Sequence, residues 1–331
     1  MARNWAGFGL VVLGLCACSD AEIEPEPSPR FPAITVTLAA DVGRVEGPVA
    51  ALALAQNLTQ PWRGVVFAAP QSGGLTAFDL EGGLRGQAAG PALSDLAVSP
   101  EFIFRDTPAV LAVGIQTEDG GLRAYLLAEG GLYPAPLAYD APLSPLAAIC
   151  TLDSDLAGLT VLALNRDGSA QIWRISDVGE DALLVEPVEP SFRTRARDCA
   201  GVGRDKGVLA LAEGSLGVWS QGLGAKLTDG AATVERLAGT RFSDNREVFA
   251  LTDAGLNMVW PETGEFRASV TLEPGFGVST EGSVTAIAAN GANFGGAGFS
   301  AGVVAVGYGD GAVAVTALDA VSRALSAAVA S

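Results

Sequence analysis

The 331-residue chain has no histidine. With no CxxC pairing either, this rules out a zinc site, a Ser-His-Asp triad and an imidazole general base. Basic charge is also scarce. Twenty Lys and Arg stand against 37 Asp and Glu, a formal net charge of −17, and no basic stripe interleaved with aromatics occurs. Nothing here attracts nucleic acid, and an acidic balance of this kind is ordinarily a solubility device. The apolar run at the N-terminus, Trp5 through Leu15, falls well short of the ~20 residues that span a bilayer. Cysteine appears four times, as Cys16, Cys18, Cys150 and Cys199.

What the chain does have is glycine, 42 residues of it, and the glycines keep time. Gly73-Gly74-Leu75-Thr76-Ala77-Phe78-Asp79-Leu80-Glu81-Gly82-Gly83 is a glycine turn, an apolar strand and a second glycine turn. The phrase returns at Gly121, Gly168, Gly214, Gly255 and Gly311, with spacings from Gly74 of 47, 47, 46, 41 and 56 residues. A period of this length, carried by strands and turns, predicts an all-β fold: a six-bladed β-propeller. Ahead of each marker runs a near-continuous apolar strand, such as Gly64–Ala68 or Gly302–Val306, as suits strands buried on both faces. The intervening glycine supplies the positive φ of a tight hairpin. A shorter apolar run precedes that strand, and Gly131–Leu137, Leu183–Val185 and Arg267–Leu272 fit fourth, outer strands. Each blade is thus a four-stranded antiparallel sheet.

The last repeat lacks a fourth strand, because Ser322–Val329 reads as a short helix. Ile34–Leu38 alternates cleanly ahead of the first repeat, so the expectation is that this N-terminal strand completes the last blade and closes the ring without an open edge. The domain boundaries expected are 1–17 for a signal peptide, 18–32 for an acidic, proline-rich tether, 33–320 for the propeller and 321–331 for the helical tail. One such array forms a single domain with a large core.

Met1–Asn4 carries one positive charge ahead of the apolar run, which reads as a signal peptide. Leu15-Cys16-Ala17-Cys18 resembles a bacterial lipobox, with a small residue before Cys18. Cys16 fits less well, since Leu15 precedes it. Lipidation at Cys18 would anchor the exported chain to a membrane, and Ser19 rather than aspartate after it favours the outer membrane, facing the periplasm. Ordinary signal cleavage with two incidental cysteines is the alternative. Cys150 and Cys199 lie 49 residues apart, about one blade, at equivalent positions of adjacent repeats. In an oxidising compartment a disulfide or two buried thiols both remain open.

Taken together, these phrases resemble the β-propeller phytases, calcium-dependent six-bladed enzymes that hydrolyse inositol hexakisphosphate. Gly73–Gly83 is similar to the family's first-blade phrase. Asp95-Leu96, the stretch from Asp198 to Trp219, Val234-Glu235-Arg236-Leu237 and Ser279-Thr280-Glu281-Gly282 resemble later ones in order. The resemblance implies a Ca²⁺ site built from Glu46, Asp95, Asp198, Glu213, Glu235 and Glu281, with Asp198, Glu213 and Glu235 taking part in catalysis and Arg166 binding phosphate. Calcium would neutralise the substrate phosphates and activate a water, chemistry that needs oxygen ligands and no histidine. The chain also departs from the pattern. Gly47 stands for an aspartate, Ala97 and Thr117 for arginines, Leu152 and Asp153 for an aromatic and a basic residue, Gly203-Arg204 for two aspartates, and Thr233 for another aspartate. Two functions follow as expectations. One is a phytase-like phosphomonoesterase acting on an inositol phosphate or a smaller ester. The other is a non-catalytic propeller lipoprotein, monomeric, that binds a ligand or a protein on the same face.

Overall fold

The computed structural model describes residues 31–330 apart from 205, 221–223, 229–232 and 243–244. The expected signal peptide, most of the tether and Cys18 lie outside the described residues. Six small sheets, each of at least four strands, follow one another around a ring. Their inner strands are Val49–Ala55, Leu93–Phe104, Leu146–Asp155, Ala196–Gly201, Val234–Phe242 and Val284–Asn290, in blades 1 to 6. Each inner strand packs against the next, and that of blade 6 packs against that of blade 1. The ring is closed.

The apolar runs are the middle strands. Val65–Pro70 in blade 1, with Val303–Tyr308 and Ala312–Ala317 in blade 6, are buried at every position, because each blade face lies against a neighbouring blade. The repeated glycine sits in the turn between the second and third strands. Five of the six markers have positive φ there, between 82° and 118°, while in blade 2 the residue before the marker, Gly120, takes that conformation. At Gly311 the requirement is double: φ is +86° and a Cβ would run into the Val45 carbonyl.

The strand that closes the ring differs from the one expected. Ala40–Arg44 pairs antiparallel with Ala312–Val315 and is the fourth strand of blade 6. Ile34–Leu38 does not complete that blade; Ala33–Thr37 pairs in parallel with Ser269–Glu273 as an added fifth strand on blade 5. Its alternation is that of a half-buried strand, with Ile34 and Val36 turned inward. They join a core cluster with Val321 and Leu325 of the C-terminal helix, Leu318–Ala330, which begins earlier than the predicted tail. Helix and strand together cover the outside of the blade 5–blade 6 interface. Leu137–Tyr139 adds a parallel strand to blade 3 in the same way. The predicted outer strands of blades 2, 3 and 5 occur at Gly131–Ala135, Leu183–Pro187 and Phe266–Glu273.

Candidate functional site: the central channel

All six inner strands carry a β-bulge near their start. The residue that resumes pairing after the bulge is Ala51, Asp95, Ala148, Asp198, Arg236 or Ala286, in blades 1 to 6. A bulge frees backbone groups from the ladder, and an inner strand has only the channel on its other side. Those freed groups need partners. Asp95 supplies two: Oδ1 accepts the N–H of Leu96 at 2.8 Å and Oδ2 that of Ile149, in blade 3, at 2.8 Å. Asp198 repeats the arrangement, accepting Cys199 N–H at 2.8 Å and Leu237 N–H, in blade 5, at 2.8 Å. Each aspartate therefore ties its own inner strand to the next.

Burial raises both carboxyls. Asp95 is pushed up to about 6 against the pull of Arg236 and its two N–H donors. For Asp198 burial is joined by the charge of Asp95 and raises it to about 7, again opposed by Arg236. Arg236 occupies the same ring position in blade 5, opposite Asp95. Among the described residues its guanidinium makes no ion pair or hydrogen bond, so it acts on the aspartates through space. The channel below holds a cavity of about 430 Å³, walled by parts of every inner strand including Leu52, Asp95, Ile149, Leu237 and Ile287. Cys150 and Cys199 also line it and form a disulfide between blades 3 and 4, with Cα atoms 5.8 Å apart.

Of the six acids that the phytase resemblance singles out, only Asp95 and Asp198 share this site. Glu235 is exposed in the bulge of blade 5, next to Arg236, and Glu213 is exposed in a hairpin turn of blade 4. Glu46 is exposed between the closing strand and blade 1. Glu281 is exposed ahead of blade 6, its N–H donating to Asp310, which pairs with Arg44 at 2.9 Å. Among the described residues no three of these or any other His, Cys, Asp or Glu are grouped to hold a metal. Calcium takes six to eight oxygen ligands. The two acids that do meet have all four oxygens on backbone N–H groups and a guanidinium for company, so the residues present do not fit the ion. Arg166 donates to the carbonyls of Leu146, Thr117 and Glu118 at 3.1, 3.0 and 3.4 Å, clasping the turns of blades 2 and 3.

Arg236 is the residue that sequence reasoning passed over. Its ring position is visible only once the blades are aligned, because it is set by the bulges of the six inner strands.

The fold defines the chain as a six-bladed β-propeller. No protein-family model matches the chain, and no curated protein does. Among solved structures it is similar to the WD40 β-propeller domain of Doa1, at 12% identity, covering 86% of this chain and 97% of that one with a TM-score of 0.48.

Proposed function

We propose that the chain is a non-catalytic binding propeller of the bacterial cell envelope, exported, lipidated at Cys18 and using the central channel as its ligand site. The observation that supports a binding role over calcium-dependent phosphatase chemistry is the use made of Asp95 and Asp198. Their oxygens hold the inner strands together and are not free to cage a cation. A cavity of about 430 Å³ is within the size range of small-molecule sites.

The test is a calcium titration followed by thermal unfolding, together with an assay of phosphate release from inositol hexakisphosphate. The expected outcome is no calcium-dependent rise in Tm and no release. A large rise together with calcium-dependent release, both lost in Glu235→Gln, would establish the phytase-like enzyme in place of the binding protein. The membrane attachment is read separately: Cys18→Ser should move the protein out of the membrane fraction.

A further inference from the structure

The six bulge positions fall into three pairs. Asp95 serves the freed N–H groups of blades 2 and 3, and Asp198 serves those of blades 4 and 5. By the same rule the residue at the bulge of blade 6 would serve blades 6 and 1, through the N–H groups of Ile287 and Leu52. That residue is Ala286.

The registers are equivalent. Leu96 pairs with Gly114, Ile149 with Ala163, Cys199 with Leu209 and Leu237 with Ala250, each one residue past the bulge position. Leu52 pairs with Ala68 and Ile287 with Val306 at the same step. In blades 2 to 5 the N–H at this step turns away from the second strand to reach a carboxylate, so the same step turns the Leu52 and Ile287 N–H groups toward the channel. Both residues line the cavity. Among the described residues no side chain accepts from either N–H. The polar side chains nearest in sequence are engaged elsewhere: the Thr285 hydroxyl donates to the Val49 carbonyl at 2.8 Å, and Asn290 Nδ2 to the Leu54 carbonyl at 3.1 Å. Blade 5, beside blade 6, contributes Arg236, whose guanidinium has no hydrogen-bond or ion-pair partner among the described residues.

We propose that the channel wall between blades 6 and 1 is a carboxylate-binding site. There the carboxylate of a small-molecule ligand takes the third place in the ring, accepting the N–H groups of Ile287 and Leu52 with Arg236 as its counter-charge. Two buried donors without acceptors favour an incoming anion with two oxygens at carboxylate spacing. The flanking ring members, Ala286 and Ala51, are small and carry no acceptor of their own. The rest of the ligand would occupy the cavity, whose walls include Leu54, Ala288 and Ala289 from the same two blades. This assignment rests on the binding-propeller reading and names its ligand class.

Acetate is the probe, titrated into the mature propeller with sodium chloride at matched ionic strength as control. Binding is followed by calorimetry and by Tm. The expected result is saturable acetate binding with no matching chloride effect, weakened at least tenfold in Arg236→Met. In Ala286→Asp the chain supplies its own third carboxylate, so acetate binding should be lost while Tm rises above that of Ala286→Asn. Absence of saturable acetate binding to the unaltered protein overturns the proposal, as does undiminished binding to Arg236→Met or to folded Ala286→Asp. If Ala286→Asp does not fold, the unaltered protein and Arg236→Met still decide. Failure with acetate but without phosphatase activity removes the carboxylate site alone. Calcium-dependent phosphate release removes the binding reading itself.

Discussion

Where blade 4 meets blade 5, a carboxylate of the chain joins the two inner strands; where blade 6 meets blade 1, the same level of the ring has an alanine. The first junction is satisfied internally and is rigid by construction. The second is held around its edges, by Thr285 and Asn290 across the inner strands and by Ala40–Arg44 on the outside. A repeat fold permits such a difference because each blade needs only its neighbours, so one junction can give up a structural side chain without loss of the ring. What is removed from the framework becomes available to a ligand.

The largest effect should come from the junction that is covalently tied. Replacing Cys150 and Cys199 together by alanine opens a loop of 49 residues, which chain-entropy reasoning values at about 4 kcal/mol. Denaturant unfolding of the oxidised protein and of the double variant would measure it. A difference near zero would mean that blades 3 and 4 are held by packing alone.

Next comes Asp198→Ala, which strips two buried N–H groups of their acceptor. At about 1–3 kcal/mol for each such group, offset in part by removing a charge that burial disfavours, a net loss of about 2–3 kcal/mol is expected. Asp198→Asn keeps one acceptor oxygen and should lose about half as much. If Asp198→Ala is neutral, the aspartate does not tie the junction and the contrast with Ala286 has no content.

Gly311→Ala probes the other side, where blade 6 receives its closing strand. Positive φ and the Val45 carbonyl should together cost about 2 kcal/mol. Fluorescence-detected unfolding would show it, and the same substitution at Gly179, also at positive φ but with nothing within 4 Å, should cost less.

A further effect is on pH dependence. Asp95 and Asp198 titrate at about 6 and about 7 in the folded chain, above the value near 4 of an unfolded aspartate. Between those limits the folded state holds protons that the unfolded state has released. The stability contributed by this site therefore rises as pH falls from about 7 toward 4. Asp167, held below the usual range by the Ser169 hydroxyl and N–H, acts in the opposite sense, and only below pH about 4. A stability profile that is flat from pH 7 to 5 in the native chain, or one that Asp198→Asn leaves unchanged, would contradict the shared burial of the two aspartates.

Much of the framework could be read directly. The glycine phrase marked six hairpins, and the runs around it were strands buried on both faces. Alternation is not the mark of the closing strand. Ile34–Leu38 alternates because a helix covers one of its sides, while Ala40–Arg44, with Asp41, Gly43 and Arg44 and a bulge of its own, buries only Val42 fully. An outermost strand needs backbone pairing more than an apolar face. Asp95 and Asp198 enter by resemblance as metal ligands, whereas the folded ring shows their carboxylates accepting backbone N–H groups.

By itself the sequence determined the number of blades, the place of each hairpin and the absence of imidazole chemistry. These depend on local demands, positive φ at a turn and apolar period along a strand, that each repeat states anew. Only the closed ring decided which N-terminal strand seals blade 6, that the carboxylates of blades 2 and 4 reach the backbone of blades 3 and 5, and that Arg236 stands across from Asp95. Those are relations between residues some 40 to 275 positions apart. No local pattern encodes them, because each aspartate also accepts an N–H freed by the bulge of the next blade.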